Sequence, residues 1–417
     1  DYTIQYDTLK QIFFSSFFFL LAIIGFTDRV TAQSCDGQRY FNAIFSAYDS
    51  STVVYSTDGM TMDIYRPHGD VSTGRKVILM IHGGDFYQGS SVDPFIYHIC
   101  QLYVQKGYMT ASINYPLITP TQILNRVLAD SETAYPIIAQ TISEGKAAVR
   151  YLKMNAASLG IDSSWIVIGG ESSGALIADH VAYMNDLSGV SPLLDSVFNT
   201  MGGLEGNSGN PGYSSRVRAV LNYGGGLLDL NMLTAADNTP IYTAQGDSDH
   251  NIPYLCGNLF GNYTDYSACG GGAMQPILSN LGISNQLLFF DSLDYSPWAD
   301  STLAQTGTNH IVLPQVDAQT SLFLYKLDCP TFTGIRDIGR AAVSLYPNPT
   351  SALIHIHTDG DMESVELIDQ MSRQVRIIPA SGGNSQIDIS ALSTGIYLAK
   401  INLRENKGTI IRSFVVE

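Results

Sequence analysis

The chain has 417 residues, 45% of them hydrophobic and 14% charged, which is enough apolar material for a full core plus an accessory segment and too much for a disordered chain. Its 22 Lys+Arg against 38 Asp+Glu leave a formal net charge of −16. Such a surface repels phosphate backbones and anionic membranes, so nucleic acid is excluded as an expected partner.

The first element is an address. After Lys10 an apolar run from Ile12 to Phe26 leads to Val30-Thr31-Ala32, a small-residue cleavage site, and residues 1–32 are expected to be a signal peptide with a few residues upstream of it. The run is shorter than the roughly 20 residues that span a bilayer, so no integral membrane span is expected in the mature chain. From about Tyr48 to Pro330 short apolar runs alternate with longer amphipathic ones, which predicts an α/β fold: a mostly parallel sheet with helices on both faces, in a main domain over 33–330. Arg75–Ile81, Tyr108–Tyr115, Ser164–Gly169, Val217–Tyr223, Ile241–Gln245 and Gln286–Asp291 read as strands buried on both faces. The spacing of Ala147, Ala148, Tyr151, Leu152 and Ala156 predicts a helix over Ser143–Leu159, stopped by Gly160.

Chemistry-bearing residues fall at the ends of these strands. His82-Gly83-Gly84-Asp85-Phe86 follows the first; glycine-type backbone can approach a developing oxyanion, and the N–H groups of Gly84, Asp85 and Ser173 are the expected donors. His82 precedes the nucleophile and is expected to shape this loop rather than act as a base. Gly170-Glu171-Ser172-Ser173-Gly174 sits between a strand and the apolar segment Ala175–Tyr183, where a nucleophile on a sharp strand-to-helix turn needs small neighbours. Ser172 is the expected nucleophile. With the order Ser, acid, His, the acid falls in Gly246-Asp247-Ser248-Asp249-His250; Asp249 is favoured over Asp247, which is better placed to cap the turn. His310, after the last strand and ahead of a helix over Val316–Leu327, is the expected general base.

Phe86, Tyr87 and Trp298 are candidate substrate contacts. Cys256 and Cys269 are the favoured disulfide among five cysteines (Cys35, Cys100, Cys256, Cys269, Cys329), and the segment from Cys256 to Gly272 is expected to rim the pocket. No cysteine or histidine cluster has metal-ligand spacing, so no metal site is expected. A polar linker over 331–340 precedes short alternating strands with turn residues between them, which predict a small all-β sandwich over 341–417.

Two resemblances rest on these residues. The block Glu144 to Leu152, then Asn155-Ala156, Gly160-Ile161-Asp162 and Ile166 to Ala175, with Asp63-Ile64-Tyr65-Arg66-Pro67 upstream, resembles the α/β-hydrolase carboxylesterases, near the type-B carboxylesterase and hormone-sensitive-lipase-like groups. The resemblance implies hydrolysis of carboxylic esters through an acyl-enzyme, without cofactor; short-chain or aryl esters, polysaccharide acyl groups and synthetic polyesters are the candidate substrates. Asp85 stands where the family has a third glycine, Ser173 where it commonly has alanine, and Pro116 where it often has arginine. Ser344-Leu345-Tyr346-Pro347-Asn348-Pro349-Thr350, Ile387 to Tyr397 and the final Ser413-Phe414-Val415-Val416-Glu417 resemble the type IX secretion sorting domain of Bacteroidetes, which implies the type IX machinery as partner and a secreted or surface-attached product. The competing readings are a silent binding or adhesion protein, or a peptidase, on the same fold, and for the tail a substrate-binding sandwich.

Overall fold

The computed structural model describes residues 35–124, 126–298, 309–330, 343–347, 350–358, 360–368, 374–404 and 409–416. The expected signal peptide and linker lie outside them. An eight-stranded sheet runs in the order β1-β2-β4-β3-β5-β6-β8-β11. Its members are β1 Tyr48–Val54, β2 Thr61–Pro67, β3 Arg75–Ile81, β4 Met109–Ile113, β5 Ile161–Glu171, β6 Ala219–Tyr223, β8 Ile241–Gly246 and β11 Asn285–Phe290. The two β2 ladders are antiparallel and the remainder of the sheet is parallel.

Burial explains why the strands were readable. Every residue of β3, β4, β6 and β8 is buried, so these strands carry no polar alternation. Along β3, side chains divide by parity: Val77, Leu79 and Ile81 join one core with helices α2 (Ser131–Met154) and α3 (Ser173–Tyr183), while Ile78 and Met80 join another with α1 (Pro94–Gln105) and α6 (Asn309–Lys326). This is the expected arrangement of helices on both faces.

Helix boundaries differ from expectation. α2 begins twelve positions earlier than the predicted Ser143, at Ser131, because the Asp130 carboxylate accepts the Thr133 N–H at 3.1 Å and Ala134, Ile138 and Ile142 extend the buried stripe. Pro136 lies inside the helix and reads as a breaker in sequence, but packing of that stripe carries the helix through it. α6 likewise begins at Asn309 and runs through Pro314. Between β5 and β6, α3 is followed by α4 (Pro192–Thr200). The segment after β8 folds as a hairpin of β9 (Cys256–Asn258) and β10 (Ser267–Gly270), joined to the short β7 (Gly226–Leu227) and followed by α5 (Gly271–Asn280). Cys256 and Cys269 face each other across the hairpin and form the expected disulfide. Cys100 is buried and free.

The C-terminal strands form a three-stranded sheet, β12 (Val343–Tyr346), β13 (Leu353–Thr358) and β16 (Asn384–Asp388), and a four-stranded sheet in the order β15-β14-β17-β18. The latter comprises β14 Met362–Ile368, β15 Gln374–Pro379, β17 Gly395–Leu403 and β18 Thr409–Val416. Ile354, Ile356, Ile387 from the first sheet and Val365, Leu367, Ala399, Ile401, Phe414 from the second share one apolar core, which makes the pair a sandwich. Among the described residues no helix is long and apolar enough to cross a membrane.

Candidate active site

Parallel strands end on one side of a sheet, and β3, β5, β6, β8 and β11 are consecutive neighbours, so the loops leaving their C-terminal ends gather at that edge. Ser172 lies at its centre, in the single step between β5 and α3, with φ 53° and ψ −121°. That is left-handed territory for a non-glycine residue and is held from both sides: the Ser172 N–H donates to the Tyr223 carbonyl at the end of β6, and its carbonyl accepts from Leu176 N–H, each at 2.9 Å.

The flanking glycines are obligatory on steric grounds. A Cβ on Gly170 would sit 2.3 Å from the Gly174 carbonyl carbon, and one on Gly174 would sit 2.2 Å from the Ile81 carbonyl oxygen and 2.4 Å from that of His82. The turn is therefore packed directly on the loop leaving β3. Gly83 closes the same contact from the other side, where a Cβ would be 3.0 Å from the Glu171 carbonyl oxygen and 3.3 Å from Ser172 Cβ.

Gly84, Asp85 and Phe86 follow with φ of 104°, 52° and 64°. Two consecutive non-glycine residues in this region are strained. Among the described residues the N–H groups of Gly84 and Asp85 donate to no protein acceptor. Ser173 N–H, at the first position of α3, belongs to the helix end whose donors have no helical partner. His82 is buried, stacked on Tyr115 at 4.3 Å between ring centroids, with its Nδ1 donating to the Gly83 carbonyl at 2.7 Å. Burial pushes its pKa down, so it sits as a neutral brace. The Tyr115 hydroxyl donates to the His82 carbonyl at 3.0 Å and ties β4 to the same loop.

Of the two candidate acids, Asp247 is half-buried, and its Oδ1 accepts the Ser292 N–H at 2.7 Å and secures the turn after β11. Asp249 points inward. Its Oδ1 accepts N–H bonds from Asn251 and Ile252 at 2.9 and 3.1 Å, and its Oδ2 accepts from Gln245 Nε2 at 3.1 Å. Oδ2 also lies 3.6 Å from where a Cβ on Gly224 would be, one residue beyond the carbonyl that holds Ser172. Burial pushes Asp249 up to about 6, against the lowering effect of those hydrogen bonds. His310 is in the first turn of α6, inside the helix rather than ahead of it; its side chain lies outside what the structure describes.

The aromatic candidates fare differently. Phe86 is fully buried, edge-on to Phe260, and Trp298 is 1% exposed among Phe95, Tyr223 and Phe290, with its Nε1 donating to Glu171 at 3.1 Å. Both are core residues beneath the site, placed there by their apolar area, and not pocket walls. Tyr87, at 40% exposure, presents an open ring. Gln245 and Glu171, which touch the acid and the Trp298 indole, carry no sequence signal, because an amide inside a strand and a carboxylate at a strand end have no pattern of their own. Among the described residues no cluster of His, Cys, Asp and Glu could hold a metal ion.

Comparison with known proteins bears on this arrangement. Residues 62–257 match the family model BD-FAE, and residues 344–417 match that of the secretion system C-terminal sorting domain. The chain carries an esterase-like α/β-hydrolase domain, a carboxylic ester hydrolase by class, and a type IX sorting tail. The tail directs the hydrolase to the cell surface or the extracellular space. No curated protein matches the chain. Similar solved structures include Thermogutta terrifontis esterase 2 with propionate bound (16% identity, covering 67% of this chain and 94% of that one, TM-score 0.49). Its apo form (16%, 67% and 94%, TM-score 0.48) and its paraoxon-phosphorylated form (17%, 63% and 91%, TM-score 0.44) are also similar. The BD-FAE match of the hydrolase spans both the loop after β3 and the Ser172 turn.

Proposed function

We propose that the hydrolase cleaves carboxylic esters through an acyl-enzyme on Ser172, with His310 as general base, Asp249 as the acid that orients it, and the N–H groups of Gly84, Asp85 and Ser173 as the oxyanion hole. The observation that carries this reading is the strained Ser172 turn packed against a loop whose N–H groups are unspent. In the first half-reaction the Ser172 hydroxyl oxygen bonds to the ester carbonyl carbon while its proton passes to His310. The tetrahedral oxyanion rests on the three N–H groups, and the alcohol leaves with that proton. Water, deprotonated by His310, then attacks the acyl carbonyl carbon; the bond from that carbon to Ser172 Oγ breaks, the carboxylic acid leaves, and Ser172 Oγ takes the proton back from His310. Asp249 remains ionised and stabilises the imidazolium.

The catalytic domain in this proposal runs to about residue 330, and the substrates are aryl, polysaccharide-acyl or polyester esters, with Tyr87, two residues past Asp85, as the exposed aromatic that would meet them. Purified full-length protein assayed on chromogenic esters of increasing acyl length, then on feruloyl, acetylated-xylan and polyester substrates, tests the reading. Ser172→Ala and His310→Ala are each expected to lower kcat by at least about a thousandfold without changing the circular dichroism spectrum. Folded wild-type protein with no activity on any of these esters, or an active His310→Ala variant, would overturn it.

A further inference from the structure

Gln245, the fifth residue of β8, is fully buried and has all of its amide engaged. Its Oε1 accepts the Gly271 N–H at 2.8 Å, and its Nε2 donates to the Ile252 carbonyl at 2.8 Å and to Asp249 Oδ2 at 3.1 Å. The network allows one orientation only. With an N–H aimed at one end of the amide and a carbonyl plus a carboxylate at the other, a flipped amide would oppose donor to donor and acceptor to acceptor.

The Gly271 end is itself built. Gly270 N–H, one residue earlier, donates to the Pro253 and Leu255 carbonyls, each at 2.9 Å, and closes the loop that runs from the acid to β9. A Cβ on Gly270 would lie 2.4 Å from the Pro253 oxygen and 2.8 Å from Gln245 Oε1, so the backbone reaches the amide only because no side chain stands there. Cys269, next to Gly270, is bonded to Cys256 directly across the hairpin. One continuous path thus runs from the disulfide through the Gly270-Gly271 backbone and the Gln245 amide to the carboxylate oxygen of Asp249.

From this path we infer that Gln245 is a positioning residue for the catalytic acid, and that the disulfide-closed hairpin holds Gln245 in the orientation that task requires. The inference rests on Asp249 being the acid. Gln245 contributes a hydrogen bond that only the carboxylate form of Asp249 accepts well, which favours the ionised state needed opposite an imidazolium. Leucine at 245 would fill a similar volume while leaving Asp249 Oδ2, the Gly271 N–H and the Ile252 carbonyl unpaired.

The test uses the full-length enzyme, with kcat expressed per nucleophile titrated by an organophosphate so that misfolded protein is not counted. Asp249→Ala comes first and is expected to lower kcat at least a hundredfold; full activity there would sink the acid itself, and the proposed triad with it. Gln245→Leu is expected to lower kcat about tenfold with KM little changed, the loss of one hydrogen bond to a charged group. It should also move the acid limb of the kcat/KM profile to higher pH. The charged group of the neighbouring loop that faces Asp249 is Asp294, which pushes the same way and is present in every variant.

Gln245→Glu, closest in shape, should move the limb further by placing a second carboxyl beside the first. Replacing Cys256 and Cys269 together by Ser should reproduce the Gln245→Leu defect, and combining the changes should add little to either. If Asp249→Ala is crippled while Gln245→Leu keeps both kcat and the limb, Gln245 does not position the acid. A fall in kcat with an unmoved limb overturns the proposal equally, and full additivity of the cysteine and glutamine changes removes the hairpin from it.

Discussion

At the scale of single residues the site depends on atoms that are absent. Gly174 has no Cβ because the Ile81 and His82 carbonyls occupy that space. Gly174→Ala is therefore expected to push the loop after β3 away from Ser172 and lower kcat by a hundredfold or more, in the range seen when an oxyanion donor is lost; kcat per titrated nucleophile checks it. Asp249 supplies a second prediction. Its carboxyl, held up to about 6 by burial, is neutral below that pH and cannot stabilise an imidazolium, so kcat/KM should rise as pH increases through about 6. A flat profile from pH 5 to 8 would contradict the assignment. The motif around Ser172 was legible in sequence because steric necessity leaves glycines at fixed offsets. Gln245 was not, because its role is set by which backbone groups the fold brings to its amide.

Among whole elements, legibility followed burial. β3 was read to the residue, from the apolar run Val77–Ile81 behind Arg75 and Lys76. Helix starts were missed where a proline stood inside the helix, since tertiary packing of α2 and α6 outweighs one lost backbone bond. The connection from β2 to β3 makes its own prediction. Asp70 is desolvated, which alone would raise its pKa, but hydrogen bonds from Arg39 and Arg75 hold it well below the usual carboxylate range. A depressed pKa gives stability that is fully present above about pH 4 and is lost as the pH falls further. Asp70→Asn should therefore lower Tm by several degrees at pH 7, with the gap closing below about pH 4. Thermal unfolding monitored across that range gives the answer.

For the molecule as a whole, fold class was evident from alternating elements, while the identity of the ester was not, because two of three chosen aromatics turned out to be core. The C-terminal sandwich predicts a separable address: residues 335–417 fused to a reporter should carry it across the outer membrane of a host with type IX secretion, and periplasmic retention of the fusion would argue against that. The hairpin braced against Gln245 has a consequence for the cell that makes the enzyme. A sulfur–sulfur bond persists where thiols are oxidised and not in a reducing cytoplasm. If the bridge completes the acid's support, the newly made chain is blunt toward the cell's own esters and is sharpened only after it has left them behind.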